Sequence, residues 1–329
     1  MPVRVGNVLA AYAARIDKDA PLNGLEVADR PEPEVPDGWV RVAVRATALN
    51  HHELWSLRGV GLKEEQLPMI LGCDAAGVTD DGTEVVVHAV IGDPAAGNGD
   101  ETLDPKRTLL SELHQGTLAE YVAVPARNLV PKPASLSWEE AACLPTAYLT
   151  AYRMLTTRSG LTGPGTVLIQ GAGGGVATAA LLLGKALGHT VFVTSRDEGK
   201  RKRALELGAD EAVEPGSRLP ARVDAVLETV GEATWDHSLK SLRPGGTIVV
   251  SGATSGRKPP TDLNRVFFLQ LSIVGSTMGT LEELESLVAL VEEKNVHPLI
   301  SDVRPLAQAK ESVALLEGGD VFGKLVLTT

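Results

Sequence analysis

The sequence predicts an α/β protein in which a doubly wound parallel sheet is inserted into a mostly β domain. Three observations carry that expectation. A strand, a run of glycines and a helix follow one another directly over residues 166–188. Strand and helix patterns then alternate as far as residue 275. Before about residue 130 apolar and polar residues alternate as in half-buried strands, and a last strand pattern at 323–327 is expected to return to that first domain.

Residues 167–170 suit a buried strand, and the Ala/Leu-rich run after the glycines is long enough for three helical turns. Between them stands Ala172-Gly173-Gly174-Gly175-Val176-Ala177, an A-x-G-x-x-A form of the dinucleotide turn. Gly174 holds the place where backbone must come close to a pyrophosphate, Ala177 the place where the helix packs, and Gly171 adds freedom to the turn. Gly171, Gly173, Gly174, Gly175 and Val176 are therefore candidate cofactor contacts, helped by the free N–H groups and partial charge of a helix N-terminus. The second strand, residues 191–195, ends in Ser195-Arg196. A carboxylate at this distance would hold a ribose hydroxyl and repel a 2′-phosphate; a hydroxyl and a guanidinium accept one. Lys200 lies one helical turn further on. The pattern predicts NADP(H), with Asp197 and Glu198 diluting the local positive charge.

A chain of 329 residues has room for two domains with substantial cores. A net charge of −11 argues against nucleic acid or an anionic membrane as the main partner. Lys185 interrupts the best apolar run, so no membrane span is expected. Residues 1–11 lack the apolar core and cleavage pattern of a signal peptide. Two cysteines, Cys73 and Cys143, form neither a disulfide framework nor a four-cysteine zinc cluster, which fits a reducing cytoplasm.

In chain order, 39–47, 83–89 and 118–124 read as strands, and the prolines at 31, 33 and 36 with Asp37-Gly38 form the loop before the first. The polar segment 91–115 is expected to be a long loop, functional or mobile. Ser137 and Glu140 form a capping box, followed by helical pieces over 139–144 and 148–156 that separate near Pro145. The alternating part has strands at 167–170, 191–195, 225–229, 247–250 and 271–275, and helices at 176–187, 199–207 and 234–242. An amphipathic helix is expected over 281–294.

Further motifs occur in a fixed order: Gly116 to Val122, Leu144-Pro145-Thr146 running to Tyr152, the glycine turn, Glu206 to Asp210, Pro244 to Gly252, and Gly323-Lys324. As a set, spread over nearly the whole chain, they resemble the medium-chain dehydrogenase/reductase superfamily. The resemblance implies a GroES-like catalytic domain made of residues 1–128 and 276–329, with a Rossmann domain over 129–275 inserted in it. It implies a cleft where nicotinamide meets a small-molecule substrate. It also implies a homodimer joined through the Rossmann sheet edge, with no nucleic-acid or membrane partner. The zinc-ligand positions of the alcohol dehydrogenase branch fall on Asn50, Cys73 and Thr146, with Asp74 as the supporting carboxylate. Only Cys73 is a good zinc ligand; His51, His52 and Asp74 are the donors left for an improvised site. The chain is more similar to the zinc-free quinone oxidoreductase or enone reductase branch, and no metal is expected.

Without a metal, reducing a quinone or an α,β-unsaturated carbonyl is easier than oxidising an alcohol. Such an acceptor takes hydride at carbon if its oxygen is hydrogen-bonded and a proton follows. The candidate catalytic donors are the Asn50 amide, His52 through a proton available near neutral pH, and the Tyr148 hydroxyl. The resemblance assigns His51 to the pyrophosphate, Thr150 to the nicotinamide ring, and Ser251, Gly252 and Ser276 to the carboxamide. It assigns Gly231 to the adenosine–ribose side and Lys324 to a phosphate or to capping of the last strand. Trp55, Leu57, the segment 91–115 and residues 264–268 are the expected pocket lining. The expected function is an NADPH-dependent oxidoreductase of quinones or conjugated carbonyls. An alcohol dehydrogenase with an atypical zinc site and an NADPH-binding sensor with little turnover remain as alternatives.

Overall fold

Val167, Leu168 and Ile169 form an unbroken apolar run, as a strand covered on both faces requires. In the computed structural model, which describes residues 6–329, they are the buried part of the strand Thr166–Ile169. The first five residues of the N-terminal reading lie outside the described residues. Six parallel strands make one sheet in the order Glu211–Val213, Thr190–Thr194, Thr166–Ile169, Val223–Glu228, Leu242–Val250, Ser272–Gly275. The strand order reverses beside Thr166–Ile169, so the glycine turn that follows this strand stands at the switch point where doubly wound sheets open a crevice. Helices Gly175–Ala186, Glu198–Glu206, Glu232–Ser241 and Leu263–Phe268 form four of the connections. Leu168, Phe192, Val226, Trp235, Leu239 and Ile248 form the core of this unit, Tyr148–Met278. The edge strand Glu211–Val213 was not anticipated; its three residues are all half-buried and carry no alternation to read.

The second unit joins the residues up to Ala147 to Gly279–Thr329. Its main sheet runs Leu129–Pro131, Glu84–Val87, Ala76–Thr79, Trp39–Ala48, Lys324–Thr328, Ile300–Pro305, with Tyr121–Pro125 also paired to Trp39–Ala48. The last strand is antiparallel to Trp39–Ala48, with Val326 opposite Ala48, so this sheet joins segments from before and after the inserted unit, whereas the first strand, Asn7–Ala13, lies in a separate sheet with Leu25–Pro31 and Met69–Ile70. One core holds Leu54, Leu57, Leu118, Val313 and Leu325; another holds Val42, Val44, Val85, Val122 and Val124.

Three features depart from the sequence reading. The inserted unit begins at Tyr148 rather than at 129, because Leu129–Pro131 pairs with Glu84–Val87. Pro145 does not separate two helices. The chain passes from Trp138–Ala142 through a widened, π-type turn, Leu144–Tyr148, into Leu149–Arg153, and such a turn tolerates a ring and a missing donor that a regular helix does not. The segment 91–115 is not a plain loop: it contains Glu101–Leu103 and Thr108–Leu109, and Glu101, Thr102, Asp104, Thr108 and Ser111 are buried. Carboxylates tie it down. The backbone N–H groups of Asp93 and Lys106 donate to Asp104, and that of Leu281 donates to Glu101 at 2.6 Å. Among the described residues no helix is long and apolar enough to cross a membrane.

Candidate active site

Strand Trp39–Ala48 delivers the chain to Asn50, where helix His51–Leu57 begins. The Asn50 N–H, one of the helix's orphan donors, is taken by Glu53 Oε2 at 2.6 Å. The neighbouring strand Lys324–Thr328 places its first side chain at the same end. Lys324 Nζ donates to Leu49 O at 2.7 Å, Asn50 Oδ1 at 2.6 Å and Asp74 Oδ2 at 3.2 Å, and the ammonium is buried. Asn50 Nδ2 donates to Asp74 Oδ2 at 2.9 Å and to Ala48 O at 3.3 Å. Charge fixes the orientation of the amide: its oxygen must face the ammonium and its nitrogen the carboxylate.

This arrangement corrects two expectations. Lys324 has spent its three protons inside this unit and has none for a phosphate. Asn50 has spent both amide protons and has none for a substrate oxygen.

The electrostatics follow from burial. Desolvation raises the Asp74 pKa against the opposing charge of Lys324. Desolvation pushes Glu53 up to about 8, against the Asn50 N–H and Lys324, with Asp74 adding repulsion. One cation thus faces two carboxyl groups with water excluded: Asp74 lies 3.2 Å from the Lys324 Nζ, and Glu53, pushed up to about 8, holds its proton at neutral pH. Glu53 Oε1, Asp74 Oδ1 and Thr146 Oγ1 are buried there without a hydrogen bond. Glu53 was missed by the sequence reading, although Asn50-x-x-Glu53 is a capping pattern.

The donors at the aligned zinc positions do not fit the metal. Cys73 donates its thiol proton to Leu110 O at 3.3 Å, and burial, with the charges of Glu53 and Asp74, holds its pKa well above the usual range. A zinc site needs the thiolate. Asn50 and Asp74 already hold an ammonium, and Thr146 carries only a hydroxyl. The improvised set is not assembled either: among the described residues no three His, Cys, Asp or Glu side chains are grouped to hold a metal.

His52 turns its Nε2 to Ser111 Oγ at 3.0 Å and Ser56 Oγ at 3.4 Å. Burial lowers its pKa to about 4, so the ring is neutral at pH 7 and the expected ready proton is not there. Ser111, which sequence did not single out, is fully buried at a positive φ of 68°. His51 is exposed; what burial it has, with the charges of Lys324 and Arg58, lowers its pKa. Leu57 is fully buried in the core, whereas Trp55 is exposed. Tyr148 is a fully buried side chain in the other unit, a placement that suits packing better than proton donation.

Unit Tyr148–Met278 holds the predicted cofactor residues other than His51 and Lys324. Gly174 is the N-cap of Gly175–Ala186, and a Cβ placed on it would meet nothing within 4 Å, so the surface above it is open. Gly171 has a φ of 91°, Gly173 is buried beneath the turn, and Gly175 and Val176 open the helix. Ser195, Arg196, Asp197 and Lys200 line a surface pocket of 420 Å³. One oxygen of Asp197 is occupied in capping helix Glu198–Glu206, accepting the Lys200 N–H at 2.7 Å. Arg201 braces this turn by donating to the carbonyls of Ser195 and Arg196. Gly231, at a φ of 93°, caps Glu232–Ser241, and a Cβ there would collide with the Gly256 carbonyl. A Cβ on Gly252 would lie 2.9 Å from Thr229 O. Ser251 Oγ donates to Met154 Sδ, and Thr150 is buried on Leu149–Arg153. Ser276 Oγ is buried without a hydrogen-bond partner. These residues fit a dinucleotide.

Glu53→Gln keeps an acceptor for the Asn50 N–H and removes the titration. With its pKa raised from 4.5 to about 8, Glu53 holds in the folded state a proton that the unfolded chain releases. Its stabilising contribution is complete below the lower value and is lost as pH rises through the upper one. Wild-type stability should therefore fall against that of Glu53→Gln across this window, with a slope approaching about 1.4 kcal/mol per pH unit. Urea unfolding that shows a constant difference between the two proteins across this range would contradict the assignment.

Residues 36–134 match the family model for the alcohol dehydrogenase GroES-like domain, and residues 175–293 match that for zinc-binding dehydrogenase. The chain is 30% identical to crotonyl-CoA reductase of Streptomyces avermitilis, over 88% of this chain and 78% of that protein. A crystal structure of an NAD-dependent alcohol dehydrogenase is 36% identical with a TM-score of 0.89, covering 98% of this chain and 99% of that one. The 2-octenoyl-CoA carboxylase reductase CinF, solved with NADP and 2-octenoyl-CoA, is 28% identical with a TM-score of 0.89, covering 99% and 88%. With a GroES-like sheet built from segments before and after the inserted unit, a switch-point glycine turn and these matches along its length, the chain belongs to the medium-chain dehydrogenase/reductase superfamily.

Proposed function

We propose that the chain is an NADPH-dependent oxidoreductase that reduces an α,β-unsaturated carbonyl or a quinone without zinc. The observation that carries this reading is the Lys324 ammonium held between Asn50 Oδ1 and Asp74 Oδ2, beside the aligned ligand positions of the zinc-type branch. An internal cation already neutralises that donor set, and no group there can strip the proton from an alcohol. An acceptor that is already electron-poor needs only hydride, one hydrogen bond to its oxygen, and a proton. The reductases of crotonyl-CoA and 2-octenoyl-CoA support the conjugated class. CinF carries NADP while another relative is NAD-dependent, so the cofactor form rests on this chain's own pocket, which has Ser195 where a ribose-binding carboxylate would stand and exposed Arg196 beside it.

Bound NADPH would supply the hydride. The turn Gly171–Val176 would receive its diphosphate, and Ser195, Arg196 and Lys200 its 2′-phosphate. Thr150, Ser251, Gly252 and the orphan hydroxyl of Ser276 would orient the nicotinamide, while Gly231 lets the adenosine–ribose side pass. His52 is the neutral hydrogen-bonding group that we assign to the acceptor oxygen; Ser111 Oγ at 3.0 Å and Ser56 Oγ at 3.4 Å hold its ring through Nε2. The edge strand Ser272–Gly275 exposes Ile273, and the preceding helix Leu263–Phe268 exposes Phe267 and Phe268. A second copy of the chain covers this edge in our reading.

Stopped-flow NADPH oxidation over a panel of quinones, enones and enoyl thioesters, on protein purified without chelator, should find turnover with conjugated acceptors and no stoichiometric zinc. Run beside it, His52→Ala should lose roughly 10- to 100-fold in kcat. Zinc at one equivalent, or turnover confined to alcohols, would defeat the proposal. Ser195→Asp combined with Arg196→Ala should weaken NADPH binding by roughly 10- to 100-fold and favour NADH; unchanged NADPH affinity would reject the 2′-phosphate pocket. Sedimentation should give a dimer that Phe267→Glu with Ile273→Lys dissociates, and a wild-type monomer would remove the edge from consideration.

A further inference from the structure

A set of buried polar side chains in unit Tyr148–Met278 has no part in the assignments above. Gln170, Thr194 and Glu228, at or beside the C-terminal ends of sheet strands, and Ser238, within helix Glu232–Ser241, are each fully buried. Their hydrogen bonds form one directed chain. The Gly171 N–H donates to Thr194 Oγ1 at 3.1 Å, and Thr194 donates to Gln170 Oε1 at 2.7 Å. Gln170 Nε2 donates to Ser238 Oγ at 3.0 Å, and Ser238 donates to Glu228 Oε2 at 2.6 Å. Glu228 Oε1 accepts the N–H groups of Val230 at 2.8 Å and Gly231 at 3.0 Å, and Thr234 Oγ1 stands 2.9 Å from both carboxylate oxygens.

No member of this chain can be reversed. His237 Nε2 faces the Ser217 carbonyl at 2.9 Å and must donate to it, so its Nδ1 accepts the second proton of Gln170 Nε2 at 3.2 Å. The carboxylate at the other end accepts only. The amide of Gln170 and the hydroxyls of Thr194 and Ser238 are thereby fixed in one sense. The ends of the chain are Gly171 and Gly231, both at positive φ, one in each glycine turn.

We propose that Glu228 is a positioning residue for the cofactor, its buried carboxylate locking the Gly171 and Gly231 turns into one prearranged cradle. The inference rests on the dinucleotide reading of unit Tyr148–Met278. Its consequence is cooperative: breaking any link relaxes both turns, so affinity for the whole dinucleotide falls while the reacting groups stay untouched.

The test is NADPH binding by fluorescence, with steady-state kinetics, on the full chain. Wild-type protein that binds neither NADPH nor NADH would sink the cofactor reading itself. If wild type binds, Glu228→Gln, Thr194→Val and Ser238→Ala should each raise the NADPH dissociation constant and KM by roughly 10-fold, with kcat at saturating NADPH within about twofold of wild type. Thr194→Ser, which keeps the hydroxyl, should restore wild-type affinity. The double variant Thr194→Val with Glu228→Gln should be no weaker than the worse single one, because both cut the same chain. Multiplying losses in the double variant, an unchanged dissociation constant in the singles, or a Thr194→Ser as weak as Thr194→Val would each overturn the proposal. If Glu228→Gln does not fold, the cycle runs on Thr194→Val with Ser238→Ala and is decided the same way.

Discussion

The buried ammonium of Lys324 sets the terms for the catalytic unit. A lysine excluded from water must find acceptors for three protons and a counter-charge. It finds Leu49 O, Asn50 Oδ1 and Asp74 Oδ2. Those contacts pin the last strand of the chain to the turn at Asn50 and to the residue after Cys73. They also decide what the site can do. The amide that would otherwise face a substrate is turned inward, the carboxylate that would support a metal is neutralised, and Glu53 is left to stay protonated next to the pair.

The two units solve the buried-polar problem in different ways. Around Lys324 the groups are crowded and incompletely satisfied, with three buried polar oxygens, of Glu53, Asp74 and Thr146, lacking a hydrogen-bond partner. Such a cluster is sensitive to pH and to what binds near it. Around Glu228 every group has a partner of the right sense, and a carboxylate with several donors is rigid rather than reactive. A cofactor cradle gains from stiffness, since each torsion fixed in advance need not be fixed on binding.

The legible parts were those where local chemistry has a single outcome. An apolar run, a glycine turn and an Ala/Leu helix leave little choice, and the strand, cap and helix of residues 166–186 formed as read. The amphipathic helix Leu281–Lys294 has the bounds that its apolar spacing predicts, and the structure adds a Thr280/Glu283 capping box at its start and a left-handed Asn295 at its end. The Ser195–Lys200 cluster was also readable, because all four lining residues lie within one turn of chain. The segment 91–115 was not. Its order comes from Glu101 and Asp104 bonding to backbone 180 and 11 residues away, and nothing local announces such partners.

From the sequence alone came the fold class, the order of its alternating elements, the glycine turn and the basic corner beyond Thr194. Each depends on neighbours in the chain, where spacing translates directly into direction. Only the tertiary structure decided that Lys324 faces Asp74 rather than a phosphate, that Asn50 has no proton to offer, that His52 is neutral, and that Glu228 ties two turns together. Those outcomes rest on which strands lie side by side and on how completely water is excluded between them, and desolvation is a property of the assembled interior that no stretch of chain carries by itself.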